Sequence, residues 1–309
     1  MKVLILGSGG FIGSSIVKEL IADDNNDIIA YQRRMPQPNE LKKNIRYIVD
    51  DLANIEKHFE IIAEAEVIIH AVSSLLPVSD SFNSEIVNVI SPTVALLDRF
   101  KNTNKHFIFI SSGGSVYKEK PQSNRPLSED DEQDVYNFYG LSKKQLEDIF
   151  IFYRNRYSLA VTILRPSNVF GFRTHNIGVN GIISTLISNA ASGMPTTIWG
   201  PGTAIRDYIF INDFTKALCK IAGIRLEGVY NISSGNAKSV NEIINLVDKY
   251  SPNKCIIKYK NDNYHFPEYI VLDNTKIKND LPLDKQSDFE EQIEELVRKY
   301  YANKKLIQY

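Results

Sequence analysis

Apolar residues in the first half of the chain fall into short, nearly continuous runs, separated by stretches in which they recur every three or four positions. Lys2 to Leu6, Asp27 to Tyr31, Arg46 to Val49, Glu66 to Val72, His106 to Ser111 and Ala160 to Leu164 are dense in Val, Ile, Leu and Phe and too short for helices, which predicts strands. Runs without polar alternation suit strands covered on both faces, as in a parallel sheet. Between them, Ile12, Ile16, Val17 and Leu20 share one face of a helix, and Leu146, Ile149, Phe150 and Tyr153 repeat the i, i+3, i+4, i+7 spacing. Strand and helix alternating in this way predict an α/β protein built on a doubly wound parallel sheet.

After about residue 170 the pattern loosens. Phe172 to Gly181 reads as a loop and Ile182 to Ala191 as a helix, while Pro195, Gly200, Pro201 and Gly202 punctuate a short strand around Thr197 to Trp199. Ser239-Val240-Asn241-Glu242 has capping-box spacing, so Ser239 is expected to cap a helix running to about Tyr250. Gln292 to Tyr301 is amphipathic at helical spacing. The acidic run Glu129-Asp130-Asp131-Glu132 reads as a solvated loop, and there is no internal repeat. The expected division is residues 1–170 for the sheet domain and 171–309 for a smaller α/β domain, with segments near 200–235 returning to the sheet.

Composition narrows the function classes. The 309 residues carry 36 basic and 37 acidic side chains, a net charge of -1, which lacks the basic footprint of a protein that lives on nucleic acid or an anionic membrane. No apolar run reaches the roughly 18 residues a spanning helix needs. Met1 to Leu6 meets a glycine cluster too early for a targeting signal. With only Cys219 and Cys255, a cytoplasmic location and a small-molecule ligand are expected, without nucleic-acid or membrane partners. His58, His70, His106, His175 and His265 are scattered without ligand spacing, so no metal is expected.

Gly7-Ser8-Gly9-Gly10-Phe11-Ile12-Gly13 directly follows a strand and opens a helix. Such a turn sets backbone N–H groups and a helix N-terminus against a pyrophosphate, and the last glycine lets the helix pack closely on the sheet. NAD-binding versions carry a carboxylate about 20 positions on, for the ribose hydroxyls. Here strand two ends Gln32-Arg33-Arg34. Two guanidiniums suit a 2′-phosphate, so NADP(H) is favoured through Arg33. NAD(H) stays open, with Gln32 at the ribose and the arginines as surface charges.

Tyr139-Gly140-Leu141-Ser142-Lys143 places a phenol and an ammonium one turn apart on one helix face. A free phenol, with a pKa of about 10, is a poor base at neutral pH, but a neighbouring cation favours the phenolate. Tyr139 is therefore a candidate general acid or base. The serine-rich segment Ser111-Ser112-Gly113-Gly114-Ser115-Val116-Tyr117 precedes it.

With these motifs in order the chain resembles the extended short-chain dehydrogenase/reductases that modify nucleotide sugars, including the UDP-glucose 4-epimerase-like enzymes. The likeness covers nearly the whole chain. It takes in Asp51-Leu52, His70-Ala71-Val72, Leu164-Arg165-Pro166-Ser167-Asn168, Ile198-Trp199-Gly200, Arg206-Asp207-Tyr208 and Tyr230-Asn231-Ile232 besides the motifs above. It implies a Rossmann domain and a carboxy-terminal cap for the sugar nucleotide. It further implies that Asp51 and Leu52 hold the adenine, that Ala71 and Val72 line the cofactor channel, and that Lys143 binds the nicotinamide ribose and lowers the pKa of Tyr139. Asn168 and Arg206 would hold the sugar nucleotide, Arg206 at its pyrophosphate. A homodimer through the Tyr139 helix and the helix near Thr93 to Phe100 is a further implication.

The chain departs from the family pattern twice. Gly113 stands where a Ser or Thr usually meets the reacting oxygen, so Ser115 is the expected substitute, with Ser112 behind it. The later part lacks an arginine that often clamps the pyrophosphate in such chains, leaving Lys260 or His265 in its place or no clamp at all. The resulting expectation is a reductase of a nucleotide-linked 4-keto-6-deoxyhexose, with a 4-epimerase holding NAD and a non-catalytic dinucleotide sensor as alternatives.

Overall fold

The computed structural model describes residues 1–36, 41–42, 44–76, 79–118, 125–172, 181–260, 267–282 and 284–307, with side chains up to residue 302. Its strands are β1 (Lys2–Leu6), β2 (Asp27–Gln32), β3 (Ile45–Val49), β4 (Val67–His70), β5 (His106–Ile110), β6 (Ala160–Pro166), β7 (Asn168–Phe170), β8 (Pro195–Trp199), β9 (Ile205–Phe210), β10 (Gly228–Ile232), β11 (Asn236–Ser239), β12 (Ile256–Lys260) and β13 (Tyr269–Ile270). The chain forms two units, one of Met1–Lys118, Glu129–Pro166 and Thr215–Tyr230, the other of Glu119–Ser128, Ser167–Phe214 and Asn231–Tyr309.

Seven strands lie in the order β10-β6-β5-β4-β1-β2-β3. The pairs β1/β2, β2/β3, β1/β4, β4/β5 and β5/β6 are all parallel. Every residue of β4, β5 and β6 is buried, as strands covered on both faces require. The order reverses between β1 and β4, and ligands of such sheets bind beyond the carboxyl ends of the strands at that reversal. The apolar face of the helix Phe138–Tyr157 supplies Leu146, Phe150 and Tyr153 to the core beside Phe107 and Phe109, with Phe109 stacked on Phe150 at 5.1 Å. Asn137 caps this helix, its side chain accepting from the Gly140 N–H at 2.7 Å. Upstream, Pro92 has no N–H to donate, and the preceding turn Ile86–Ile90 widens into a π-helical turn that leads into Ser91–Phe100.

The second unit is organised by β9. It pairs antiparallel with β11 and parallel with β7 along its second half and with β13 at its start. β8 and β12 form a separate parallel pair. Of the segment near 200–235, β10 lies in the seven-stranded sheet while β9 belongs to this second sheet. The predicted capping box is present, with Ser239 and Glu242 each satisfying the other's backbone N–H at the head of Val240–Tyr250. The terminal helix extends over Phe289–Ile307, and Phe289 packs on Phe170 at 5.2 Å. The acidic run is more than solvated loop, since the Glu129 carbonyl accepts from Arg165 and the Glu132 carbonyl from the Lys118 N–H. No helix among the described residues is long and apolar enough to cross a membrane.

Candidate active site

The glycine loop sits where the sheet order reverses. Gly7 has a positive φ of 86°, and its N–H and that of Ser8 both donate to the Tyr31 carbonyl, at 2.9 and 3.2 Å. A Cβ on Gly13 would lie 2.1 Å from the Gly7 carbonyl oxygen, so only glycine allows helix and loop to close together there. A Cβ on Gly7 would meet the Ala71 carbonyl oxygen at 2.8 Å and Val72 at 3.2 Å, so the loop and the segment after β4 lie against each other. Gly10 starts the helix Phe11–Leu20 with no side chain capping it and no acidic residue in its first turn. Uncapped N–H groups without a competing carboxylate fit the pyrophosphate of a dinucleotide.

The neighbouring positions divide. Tyr31 donates its hydroxyl to the Asp51 carbonyl at 2.7 Å, while the Asp51 carboxylate accepts from the Ala53 N–H at 3.0 Å and caps the following turn. Leu52 is only 5% exposed, part of the core beneath the sheet. Gln32 accepts from the Ser8 hydroxyl at 3.0 Å and donates to the Arg34 carbonyl at 2.7 Å, so both ends of its amide are engaged. Arg33 and Arg34 are exposed beside it.

Tyr139, Ser142, Lys143 and Glu147 share one face of the Phe138–Tyr157 helix. The Lys143 ammonium, 4% exposed as a residue, donates to the Ile110 carbonyl at 2.9 Å. It lies 5.1 Å from the Phe109 ring centroid and 5.7 Å from that of Tyr139. Burial lowers its pKa to about 8, against the pull of Glu85 and Glu147. The Tyr139 phenol behaves differently from the sequence expectation. Burial raises its pKa, the Ser112 hydroxyl draws it back by hydrogen bonding, and Glu85 raises it again, so the net shift is upward. Of the two serines expected near the reacting oxygen, Ser112 is the one whose hydroxyl bears on Tyr139 here. Ser115 is buried under the helix, where a Cβ on Gly140 would stand 2.3 Å from its carbonyl oxygen.

Two buried glutamates flank this face, and neither stood out in the sequence. Glu147 accepts from the Ser111 hydroxyl, from Gln133 at 2.8 Å and from Arg165, whose Nη2 lies 2.6 Å away. Arg165 also donates to the Tyr117 hydroxyl at 2.9 Å, with its guanidinium 4.9 Å from that ring centroid. The signal available was an arginine inside the apolar run of β6 and a glutamate four residues after Lys143. Glu85 accepts from the Ser142 hydroxyl at 2.6 Å and from Ser74. His70 is buried against Phe109 and Phe150, and burial with the Lys143 charge lowers its pKa to about 3, so it stays neutral.

In the second unit Asn168 and Arg206 stand on the paired strands β7 and β9, with Asn168 opposite Tyr208. The Asn168 amide donates to the Asp207 carbonyl at 3.0 Å. Arg206 donates to the Ile205 carbonyl at 2.8 Å and to that of Pro267. Directly after Arg206, Asp207 is 1% exposed, and burial raises its carboxyl to about 6. The Lys260 ammonium lies 5.6 Å from the Trp199 ring centroid. His175 and His265 lie outside the described residues, among which no cluster of His, Cys, Asp and Glu could hold a metal.

A parallel sheet ordered 3-2-1-4-5-6 with a glycine loop at its reversal defines a dinucleotide-binding Rossmann protein. More narrowly, the chain belongs to the NAD dependent epimerase/dehydratase family, whose model matches residues 3–233. The resemblance to the extended short-chain dehydrogenase/reductases is thereby confirmed. The chain is 29% identical over 255 residues to a UDP-glucose 4-epimerase of Mycolicibacterium smegmatis, covering 79% of this chain and 80% of that one. It is 26% identical over 282 residues to a dTDP-4-dehydro-6-deoxyglucose reductase of Escherichia coli, covering 88% of each. Its fold matches the crystal structure of a UDP-glucose 4-epimerase of Thermotoga maritima with a TM-score of 0.87 at 24% identity, covering 98% of this chain and 99% of that one.

Proposed function

We propose that the protein is an NAD(P)-dependent enzyme that moves a hydride at C4 of a nucleotide-linked hexose. Within that class, it is read as a reductase of a 4-keto-6-deoxyhexose such as dTDP-4-dehydro-6-deoxyglucose, serving surface-polysaccharide precursor synthesis. The observation that carries this reading is the Tyr139 phenol, kept protonated by burial and by Glu85 beside a buried Lys143 and the Ser112 hydroxyl. A protonated phenol suits delivery of a proton to a carbonyl oxygen. The bound nicotinamide supplies the hydride. Tyr139 gives its proton to the oxygen as the carbonyl carbon is reduced, Ser112 holds that oxygen in place of Ser115, and Lys143 binds the nicotinamide ribose. Gly7, Gly10, Phe11, Ile12 and Gly13 receive the pyrophosphate, Asp51 and Leu52 the adenine side, and Ala71 and Val72 the channel. Asn168 and Arg206 hold the sugar nucleotide. NADP(H) is preferred through Arg33, since both ends of the Gln32 amide are engaged within the protein.

The second reading, a UDP-hexose 4-epimerase, is favoured by the 29% identical relative. There Tyr139 takes the proton of the C4 hydroxyl and later returns it, and the nicotinamide is never released. One experiment separates the two: the purified protein is denatured and its released nicotinamide identified, then fresh protein is assayed with 4-ketosugar nucleotides and with UDP-hexoses. NADPH consumption by a protein that releases little nicotinamide supports the reductase. Stoichiometric NAD⁺ with hexose interconversion replaces it with the epimerase, and silence in both assays leaves a dinucleotide sensor.

A further inference from the structure

Two carboxylates are buried beside the Phe138–Tyr157 helix, and among the described residues only one has a cation in contact. Glu147 is paired with Arg165, their side chains 1% and 5% exposed. Glu85 is 0% exposed, and its hydrogen-bond donors are all neutral: the Ser74 N–H at 2.9 Å, the Ser74 hydroxyl, and the Ser142 hydroxyl at 2.6 Å. A buried carboxylate with no counter-charge costs several kcal/mol, on the order of that for any ion taken out of water. Lys143 has the complementary deficit, since its hydrogen bond goes to a neutral carbonyl and its other neighbours are the Phe109 and Tyr139 rings. Ser142, adjacent to Lys143 and three residues after Tyr139, links Glu85 to both.

We propose that Glu85 is the counter-charge of Lys143 and, through Ser142, a positioning residue for the Tyr139–Lys143 pair. Its consequence for turnover rests on the reading of that pair given above, while the charge relation itself does not. The other groups around the pair leave this role to Glu85. His70 from β4 is neutral, Ile110 from β5 offers a carbonyl, Ser112 offers a hydroxyl, and the Glu147 charge is already matched by Arg165. The negative charge on Glu85 holds a proton on both groups, keeping the ammonium charged and the phenol protonated. Because Ser74 follows Ala71 and Val72 in the same loop, the contact also ties that loop to the Tyr139 helix.

The test is Glu85→Gln, which keeps the shape and removes the charge. The Tyr139 midpoint is read from phenolate absorbance with Tyr139→Phe as the subtracted reference, and the Lys143 midpoint from NMR of lysine labelled at Cε, with Lys143→Arg assigning the signal. Both midpoints should fall by about one pH unit, as expected when a nearby opposite or like charge is withdrawn. Glu85→Asp, which retains the charge, should hold them close to wild type. Unmoved midpoints in Glu85→Gln overturn the proposal. A double-mutant cycle gives a second measure in case the single variant folds poorly: Lys143→Met should stabilise Glu85→Gln by more than it stabilises the wild type at pH 7, because the ammonium costs most without Glu85, and equal gains in the two backgrounds overturn the relation. If the wild type turns over neither substrate panel, the functional reading fails while titration and cycle still decide the charge relation. If it turns over and the midpoints stay put, the charge relation alone falls.

Discussion

The Lys143 ammonium donates to the Ile110 carbonyl at 2.9 Å, so the cation of the candidate site is secured to the end of β5 rather than to a carboxylate. Its pKa, lowered by burial to about 8 from 10.5, makes it a stability liability. Between those two values the unfolded chain binds a proton that the folded chain lacks, so stability rises with pH across that window. Below pH 8 the full cost is present, on the order of 3 kcal/mol at about 1.4 kcal/mol per pKa unit. Lys143→Met should therefore abolish turnover and yet resist urea better than the parent at pH 7, with the advantage shrinking toward pH 10. Paired urea titrations at pH 7 and 9.5 check this; a variant less stable at pH 7 would sink the argument.

Gly140 and Gly223 are both helical glycines, and they should respond oppositely to alanine. A Cβ at Gly140 would stand 2.3 Å from the Ser115 carbonyl oxygen, a backbone atom that cannot step aside, whereas one at Gly223 meets nothing within 4 Å. Gly223→Ala should gain about 0.5–1 kcal/mol from helix propensity and lost unfolded-state freedom. Gly140→Ala should lose about 1–3 kcal/mol, as overpacking does, and should lower kcat because the segment carrying Ser112 is pushed from Tyr139. Thermal midpoints of the two variants moving the same way would contradict this.

How far could the site be read from the chain alone? Strands β1, β2, β3, β5 and β6 lie within a residue or two of the apolar runs, because a strand buried on both faces leaves a local signature. The Ser239 cap and the Gly7–Gly13 turn were legible for the same reason: each is settled by residues a few positions apart. Glu85, Glu147 and Arg165 were not. Ser142 and its acceptor Glu85 are 57 positions apart, and Arg165 and Glu147 are 18 apart, so nothing local marks either glutamate as buried. The choice between Ser112 and Ser115 was hidden too, since it depends on how the short helix Gly113–Val116 turns beneath Gly140.

The Arg165–Glu147 pair is buried on both sides, and its loss should be asymmetric. Arg165→Met leaves Glu147 as an uncompensated charge and should cost about 3–5 kcal/mol. Arg165→Met/Glu147→Leu removes both charges and should recover most of that loss. Urea midpoints of the single and double variants decide it. A single variant within about 0.5 kcal/mol of wild type, the range of ordinary surface changes, would mean that the pair is not holding the ends of β5 and β6 together.

Asp207 carries the opposite pH dependence to that of an ordinary paired carboxylate. Burial raises it from 3.8 to about 6, although the Ser167 and Ser233 hydroxyls and the backbone of Leu272 and Ser234 pull the other way, and neither carboxyl oxygen has a partner in close hydrogen-bond geometry. Between pH 4 and 6 the folded chain therefore holds a proton that the unfolded chain has released, so this group's contribution to stability falls as pH rises through that window. Asp207→Asn keeps a neutral group of the same shape at all pH values. It should match wild type at pH 4 and exceed it at pH 7 by on the order of 2–3 kcal/mol, at about 1.4 kcal/mol per pKa unit. The difference between the two stability curves, measured from pH 4 to 8, isolates this group from every other titration. Because the Asp207 carbonyl receives the Asn168 amide and Arg206 is the preceding residue, the same variant should also alter sugar-nucleotide affinity, as isothermal titration with the identified nucleotide would show. A flat difference curve would mean that the hydroxyls and backbone N–H groups around Asp207 offset its burial in full.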